Sequence, residues 1–191
     1  MRHVFFVLAL LCTALNAGIF YSFSTIVMPG LDLGGAMSAV NSMHGINTIV
    51  RSPLFAIVFF GALVMPLLAA LGARSAGHRG AARLAGLAAL IYAVAVIGVT
   101  LQVNVPLNET LATVAGADAN AASYWKDFWV PWASWNHVRS LGAILAFLSA
   151  HLASVATFLS ADRRPAIGRT LPLLAWGAAA RALPRPGLAT K

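Results

Sequence analysis

Acidic residues are scarce in this chain: five Asp and Glu stand against thirteen Lys and Arg in 191 residues, and charged side chains make up only 9%. Soluble domains carry about 25% charged residues, so a water-facing surface of the usual kind is excluded. Cysteine is nearly absent. The single Cys12 lies inside an apolar run, which rules out a disulfide framework and a cysteine metal site. No Walker loop, dinucleotide fingerprint, carboxylate cluster or His-x-x-x-His pair is present, which removes the common nucleotide-binding and metallohydrolase classes.

What remains is 60% hydrophobic, with a mean hydropathy of +0.81. A hydrocarbon core about 30 Å thick takes roughly 20 apolar residues in a helix. Four stretches qualify, at about residues 4–27, 53–71, 82–103 and 137–160, so the expected fold is an all-α integral membrane four-helix bundle occupying residues 1–161. The first stretch follows Arg2 and His3 as a signal peptide would. However, Leu15 occupies the −3 position before Ala17 and the apolar run continues to Val27, so it reads as a retained span.

The net charge of +8 reports orientation. In a four-span arrangement Arg2, Arg74, Arg79, Arg83 and the basic residues after Asp162 share one side. Arg51, Lys126 and Arg139 face Asp32, Glu109, Asp118 and Asp127 on the other. That asymmetry predicts cytoplasmic N and C termini, as expected of a bacterial plasma-membrane protein, with the lipid bilayer as partner and no need for nucleic acid. Residues 162–191 form a basic tail, expected to be disordered. Its apolar patch, Leu171–Ala180, is too short to span.

Small residues recur every four positions: Ala14, Gly18 and Ser22 in the first span, Ala81, Ala85, Ala89 and Ala93 in the third, and Gly142, Ala146, Ala150 and Ser154 in the fourth. Such stripes let helix backbones approach closely in lipid. Pro66 is expected to kink the second span, and Asn16 to hydrogen-bond to a neighbouring helix. The two outer connections, about 29–52 and 104–136, are long and helical or aromatic-rich. The first carries Met37, Val40, His44, Asn47 and Arg51 near one helix face. The second carries Trp125, Phe128, Trp129, Trp132 and Trp135, with Pro131 expected to bend or interrupt any helix there. An aromatic belt at headgroup depth is the plain reading of that stripe.

The unusual polar residues collect at the outer ends of the spans. Arg51 and Arg139 open the second and fourth, Asn104 and Asn108 follow the third, and Asn136 and His137 precede Arg139. His44, Asn47 and Tyr21 can join them in one pocket beneath the outer loops. Each has a plainer role: an arginine snorkels to headgroups, an asparagine caps a helix, and a histidine bonds a loop carbonyl. Asn108-Glu109-Thr110 also matches a glycosylation sequon. His137 and His151 are fourteen residues apart, about 21 Å along a helix, and cannot share a metal ion. No metal site is expected.

Several runs together resemble the anthrone oxygenase-like family of small membrane proteins. They are Ala17-Gly18-Ile19-Phe20-Tyr21-Ser22-Phe23-Ser24, Met28-Pro29-Gly30-Leu31, Met43 to Asn47 and Asn104-Val105-Pro106-Leu107-Asn108, with Trp-x-x-Phe-x-x-x-Trp-x-x-Trp-Asn-x-x-Arg from Trp125 to Arg139. The resemblance covers roughly residues 10–160. It implies oxidation of an anthrone, or another flat lipophilic aromatic molecule, to a quinone without metal, flavin or other cofactor. On that reading His137 is the base, and Asn104, Asn108, Asn136 and Arg139 hold the oxyanion. Trp132, Trp135 and Tyr21 lie against the rings, and His44, Asn47 and Arg51 complete the substrate pocket. The alternatives are a lipid- or quinone-binding protein without turnover, or a subunit whose aromatic outer segment docks a partner. Homo-oligomerisation stays open, and a transporter is disfavoured by the lack of an intramembrane acid.

Overall fold

Lipid offers no hydrogen bonds to a peptide group, so an apolar chain of this composition must satisfy its backbone within helices. The computed structural model describes residues 2–114 and 120–162, which are helical almost throughout and contain no strand. Helix α1 (Arg2–Ser22) runs through a π-helical turn at Phe23–Val27 into α2 (Met28–Leu33). After Gly35 comes α3 (Ala36–Ile49), then α4 (Pro53–Ser75), whose first turn is capped by the Ser52 hydroxyl accepting from the Phe55 N–H. Helix α5 (Arg79–Ile91) continues through two π-helical stretches, Tyr92–Gly98 and Thr100–Asn104, into α6 (Val105–Ala112). The last helix, α7 (Ala121–Asp162), is 42 residues long.

Among the described residues, four helical columns are long and apolar enough to cross a membrane: His3–Leu33, Pro53–Ser75, Arg79–Ala112 and Ala121–Leu159. α1 packs on α4 and α4 on α5. The buried side chains form three stacked clusters. At one end Phe6 meets Ala69, Ala73, Ala81, Ala85 and Ala153. In the middle Phe20, Phe59, Tyr92 and Val96 meet Ala17, Ala62, Ala143 and Ala146. At the far end Met28, Val40 and Met43 pack on Leu111, Trp125, Phe128 and Trp132. Large aliphatic side chains such as Leu54, Ile57, Leu90, Leu141 and Leu152 point outward, as expected where lipid is the solvent.

The small-residue stripes of α5 and α7 do pack inward. A Cβ added at Gly142 would fall 2.5 Å from the Ala95 Cβ, so only glycine permits that approach. The α1 stripe does not. Ala14 and Gly18 are exposed, and α1 uses Phe6, Ala9, Thr13, Asn16, Ala17 and Phe20 instead. Asn16 bridges helices as expected, donating from Nδ2 to the Val58 carbonyl at 3.0 Å.

Two expectations for the aromatic segment are narrowed. Of the bend or interruption expected at Pro131, interruption does not occur, because α7 passes through it unbroken. The aromatic stripe is also not simply a surface belt. Trp125, Phe128 and Trp132 are buried in the far cluster, and only Trp135 is substantially exposed, at 44%. Two indole N–H groups find partners inside the protein: Trp125 Nε1 donates to Asp32 Oδ1 and Trp132 Nε1 to Asn108 Oδ1, both at 2.8 Å. The tail expectation, including Leu171–Ala180, lies outside the described residues.

Candidate functional site

Arg139 is 94% buried, between the middle and far clusters. Asn136, Arg139 and Ser140 share a face of α7 because they lie three and four residues apart. That face turns toward the π-helical turn after α1 and the π-helical stretches after α5. Four further polar side chains come from those segments: Ser24 from the first, Tyr92 from the second, Thr100 and Asn104 from the third. A π turn carries an extra residue relative to the α-helix and often marks a functional site. Here each of the three π-helical segments supplies at least one polar group to one interior cluster.

The network can be followed bond by bond. Arg139 Nη2 donates to Asn136 Oδ1 at 2.8 Å and Nη1 to Thr100 Oγ1 at 3.3 Å. Asn136 Nδ2 donates to the Phe20 carbonyl and to Ser24 Oγ, both at 2.8 Å. The Ser140 hydroxyl donates to the Asn136 carbonyl at 2.8 Å, so at the 3.0 Å contact between the two serines the proton comes from Ser24. Aromatic rings close the guanidinium in: its Cζ is 4.8 Å from the Phe20 ring centroid and 4.9 Å from that of Trp132. A desolvated cation–π contact contributes about 2 kcal/mol, against a desolvation cost of several kcal/mol for a buried ion.

The remaining charge is not neutralised. No carboxylate among the described residues pairs with Arg139. Its Nε–H has no hydrogen-bond partner, and neither do Asn104 Oδ1 or the Tyr92 hydroxyl. Asn104 is held through its other atom, Nδ2, which donates to the Trp132 carbonyl at 3.3 Å. The Tyr92 side chain is fully buried, within electrostatic range of Arg139. Buried polar groups are nearly always paired, so an unused donor, an unused acceptor and an unused hydroxyl within one stretch of the bundle call for an explanation. Of the three, the cationic Nε–H is the one suited to an anionic oxygen.

Of the residues expected from sequence, Asn104, Asn136, Arg139 and Trp132 meet here, and Asn108 joins at the edge through Trp132. His137 is exposed on another face of α7 and makes none of these bonds. Trp135 and Tyr21 are exposed, at 44% and 55%, and Arg51 is exposed beyond the end of α3. His44 Nε2 contacts the Leu111 carbonyl at 3.0 Å, tying α3 to α6, and Asn47 Nδ2 is buried without a partner. Tyr92, Thr100, Ser24 and Ser140 were not anticipated. A signal was present: Tyr92, Val96, Thr100 and Asn104 continue the every-four stripe of Ala81, Ala85 and Ala89, with one three-residue step. Among the described residues no group of three His, Cys, Asp or Glu side chains is placed to hold a metal ion.

Fold and site thus define a class: an all-helical bundle with membrane-length helices around a closed polar core, with a buried arginine at its centre. The chain belongs to the anthrone oxygenase family, whose model matches residues 54–149. The match takes in Tyr92, Thr100, Asn104, Asn136 and Arg139 and leaves Phe20 and Ser24 outside. No curated protein and no solved structure matches the chain.

Proposed function

We propose that the protein is a membrane-embedded oxygenase that uses no cofactor of its own and converts an anthrone-like, flat lipophilic substrate to a quinone. The carrying observation is the buried, carboxylate-free Arg139 with its unused Nε–H, in a polar cluster that also holds the unused Asn104 Oδ1 and Tyr92 hydroxyl. An anthrone has an acidic methylene between two aromatic rings. Loss of its proton puts negative charge on the oxygen across the ring. A preorganised cation in a dry site stabilises that charge strongly, because the surrounding dielectric is low and no reorganisation is needed.

The anion passes one electron to O₂, the two radicals combine as a peroxide at the former methylene carbon, and loss of water leaves the second carbonyl. One anthrone and one O₂ give one quinone and one water. On this reading Arg139 and Tyr92 hold the oxyanion, Asn104 accepts from a neighbouring phenol, and Phe20 and Trp132 shield the guanidinium from water. Asn136, Ser24 and Ser140 fix the guanidinium. His137, exposed on another face of α7, is the candidate relay that hands the methylene proton to water.

The test is oxygen uptake and quinone formation with emodin anthrone and detergent-purified protein, beside Arg139→Met and His137→Ala. Turnover above the spontaneous rate should fall by about 100-fold or more in Arg139→Met, the range for removing an oxyanion donor. Turnover that persists in Arg139→Met sinks the assignment of the site. Tight binding of a quinone by wild type without oxygen uptake would instead favour a non-catalytic quinone-binding protein, for which the same donors are suited.

A further inference from the structure

The turn between α4 and α5 builds a second site at the opposite end of the bundle from the aromatic cluster. Ala76 ends α4 and Gly77 takes φ +84°, a conformation that suits glycine. The Gly77 N–H donates to the Arg74 carbonyl and the His78 N–H to the Ala73 carbonyl, at 3.0 and 2.9 Å. This paired closure reverses the chain within a few residues, so the last turn of α4 faces the first turn of α5. Between them lies a groove of about 350 Å³. Leu67, Ala70, Leu71 and Ala82 line its apolar part, while Arg74, Arg79 and Arg83 line the rest.

All three arginines are exposed, and none has a carboxylate partner among the described residues. Of the acidic residues whose side chains are described, Asp32, Glu109 and Asp127 all belong to segments near the far cluster, where Asp32 is tied to Trp125. Three guanidiniums lining one concavity concentrate positive charge there, and guanidinium is the side chain best matched to phosphate oxygens. The apolar walls run from the arginines toward the middle of α4, as an acyl chain would. Charge and shape together fit one molecule.

We propose that the α4–α5 groove binds one anionic phospholipid, its phosphodiester on Arg74, Arg79 and Arg83 and an acyl chain along Leu67, Ala70 and Leu71. Basic pockets at the ends of membrane helices commonly take anionic headgroups. A general preference for an anionic leaflet would leave many lipids loosely and interchangeably associated. This geometry calls for a single retained lipid, and it stands independently of the oxygenase reading.

Native mass spectrometry of the full-length protein in detergent, with equal amounts of phosphatidylglycerol and phosphatidylcholine of the same acyl chains, tests the proposal. Wild type should retain one phosphatidylglycerol, in roughly fivefold or greater excess over phosphatidylcholine. Arg74→Gln, Arg79→Gln and Arg83→Gln should each lower that excess several-fold, and the triple variant should abolish it. Lys126→Gln, at the other end of the bundle, should leave it unchanged. The single variants carry the test if the triple one fails to fold. Equal retention of both lipids by wild type overturns the proposal, as does an excess that survives all three single substitutions. Competition by inorganic phosphate or glycerophosphoglycerol as effective as the intact lipid also overturns it, because the ligand would then be a soluble phosphate.

Discussion

Arg139 is a residue that stability alone does not justify. Buried ion pairs are often no more stable than the hydrophobic groups that replace them, and here no paired carboxylate offsets the desolvation. Arg139→Met is therefore expected to hold or raise the thermal unfolding midpoint in detergent, by the equivalent of about 1–4 kcal/mol at most, while turnover collapses. A midpoint that drops by many degrees, followed by circular dichroism, would make Arg139 a structural residue. Tyr92→Phe is a second probe, because the hydroxyl it removes has no partner in the resting protein. Stability should rise or stay level, while kcat falls; a loss of about 1–3 kcal/mol would reveal a hidden hydrogen bond. At this scale the sequence was legible where polarity was conspicuous. Asn104, Asn136 and Arg139 stand out against Ala and Leu, whereas Tyr92, Thr100, Ser24 and Ser140 are ordinary members of membrane helices. Only their shared depth, set by helix packing, makes them a group. His137 shows the converse, since nearness in sequence placed it beside Arg139, and two residues, about 200° round the helix, put it outside.

Between residue and bundle stands the helix and its pitch. A stripe repeating every four residues drifts about 40° per step on an α-helix of 3.6 residues per turn. The wider π turns at Tyr92–Gly98 and Thr100–Asn104 take up that drift, so Tyr92, Val96 and Asn104 stay on the buried face. The four spans were readable from hydropathy, because length and apolarity alone specify them. The π turns were not, since no residue type marks them, and neither was the unbroken passage of α7 through Pro131. The small-residue stripes were half legible: spacing identifies a face that permits close approach without saying whether a neighbour uses it. Gly142→Ala should destabilise the protein by about 1–3 kcal/mol, since its Cβ would overlap the Ala95 Cβ. Gly18→Ala, with nothing within 4 Å, should leave the unfolding midpoint unchanged. Equal effects of the two would mean that the α1 stripe is also in contact, in an oligomer.

On the scale of the whole molecule, helix length exceeds membrane thickness. α7 has 42 residues, about 63 Å at 1.5 Å per residue, against a hydrocarbon core of about 30 Å. The far cluster, with α3 lying over it, is therefore expected to stand clear of the hydrocarbon and roof the arginine site. In a Cys12→Ser background, cysteine at Ser123 should react with a membrane-impermeant maleimide on intact cells, and cysteine at Leu145 should not. Labelling of Ser123→Cys only after lysis would invert the orientation expected from the charge asymmetry.

The π turns have one more consequence, in genetic rather than structural terms. A turn that holds one residue more than its α-helical counterpart can be undone by losing a single codon. Removing one residue from Phe23–Val27 lets α1 and α2 join as plain α-helix, with the surfaces on either side kept in register and Ser24 withdrawn from Asn136. The scaffold and its polar centre are thus separable by one deletion, and the same step in reverse is a short mutational route by which a plain helical bundle acquires a polar heart.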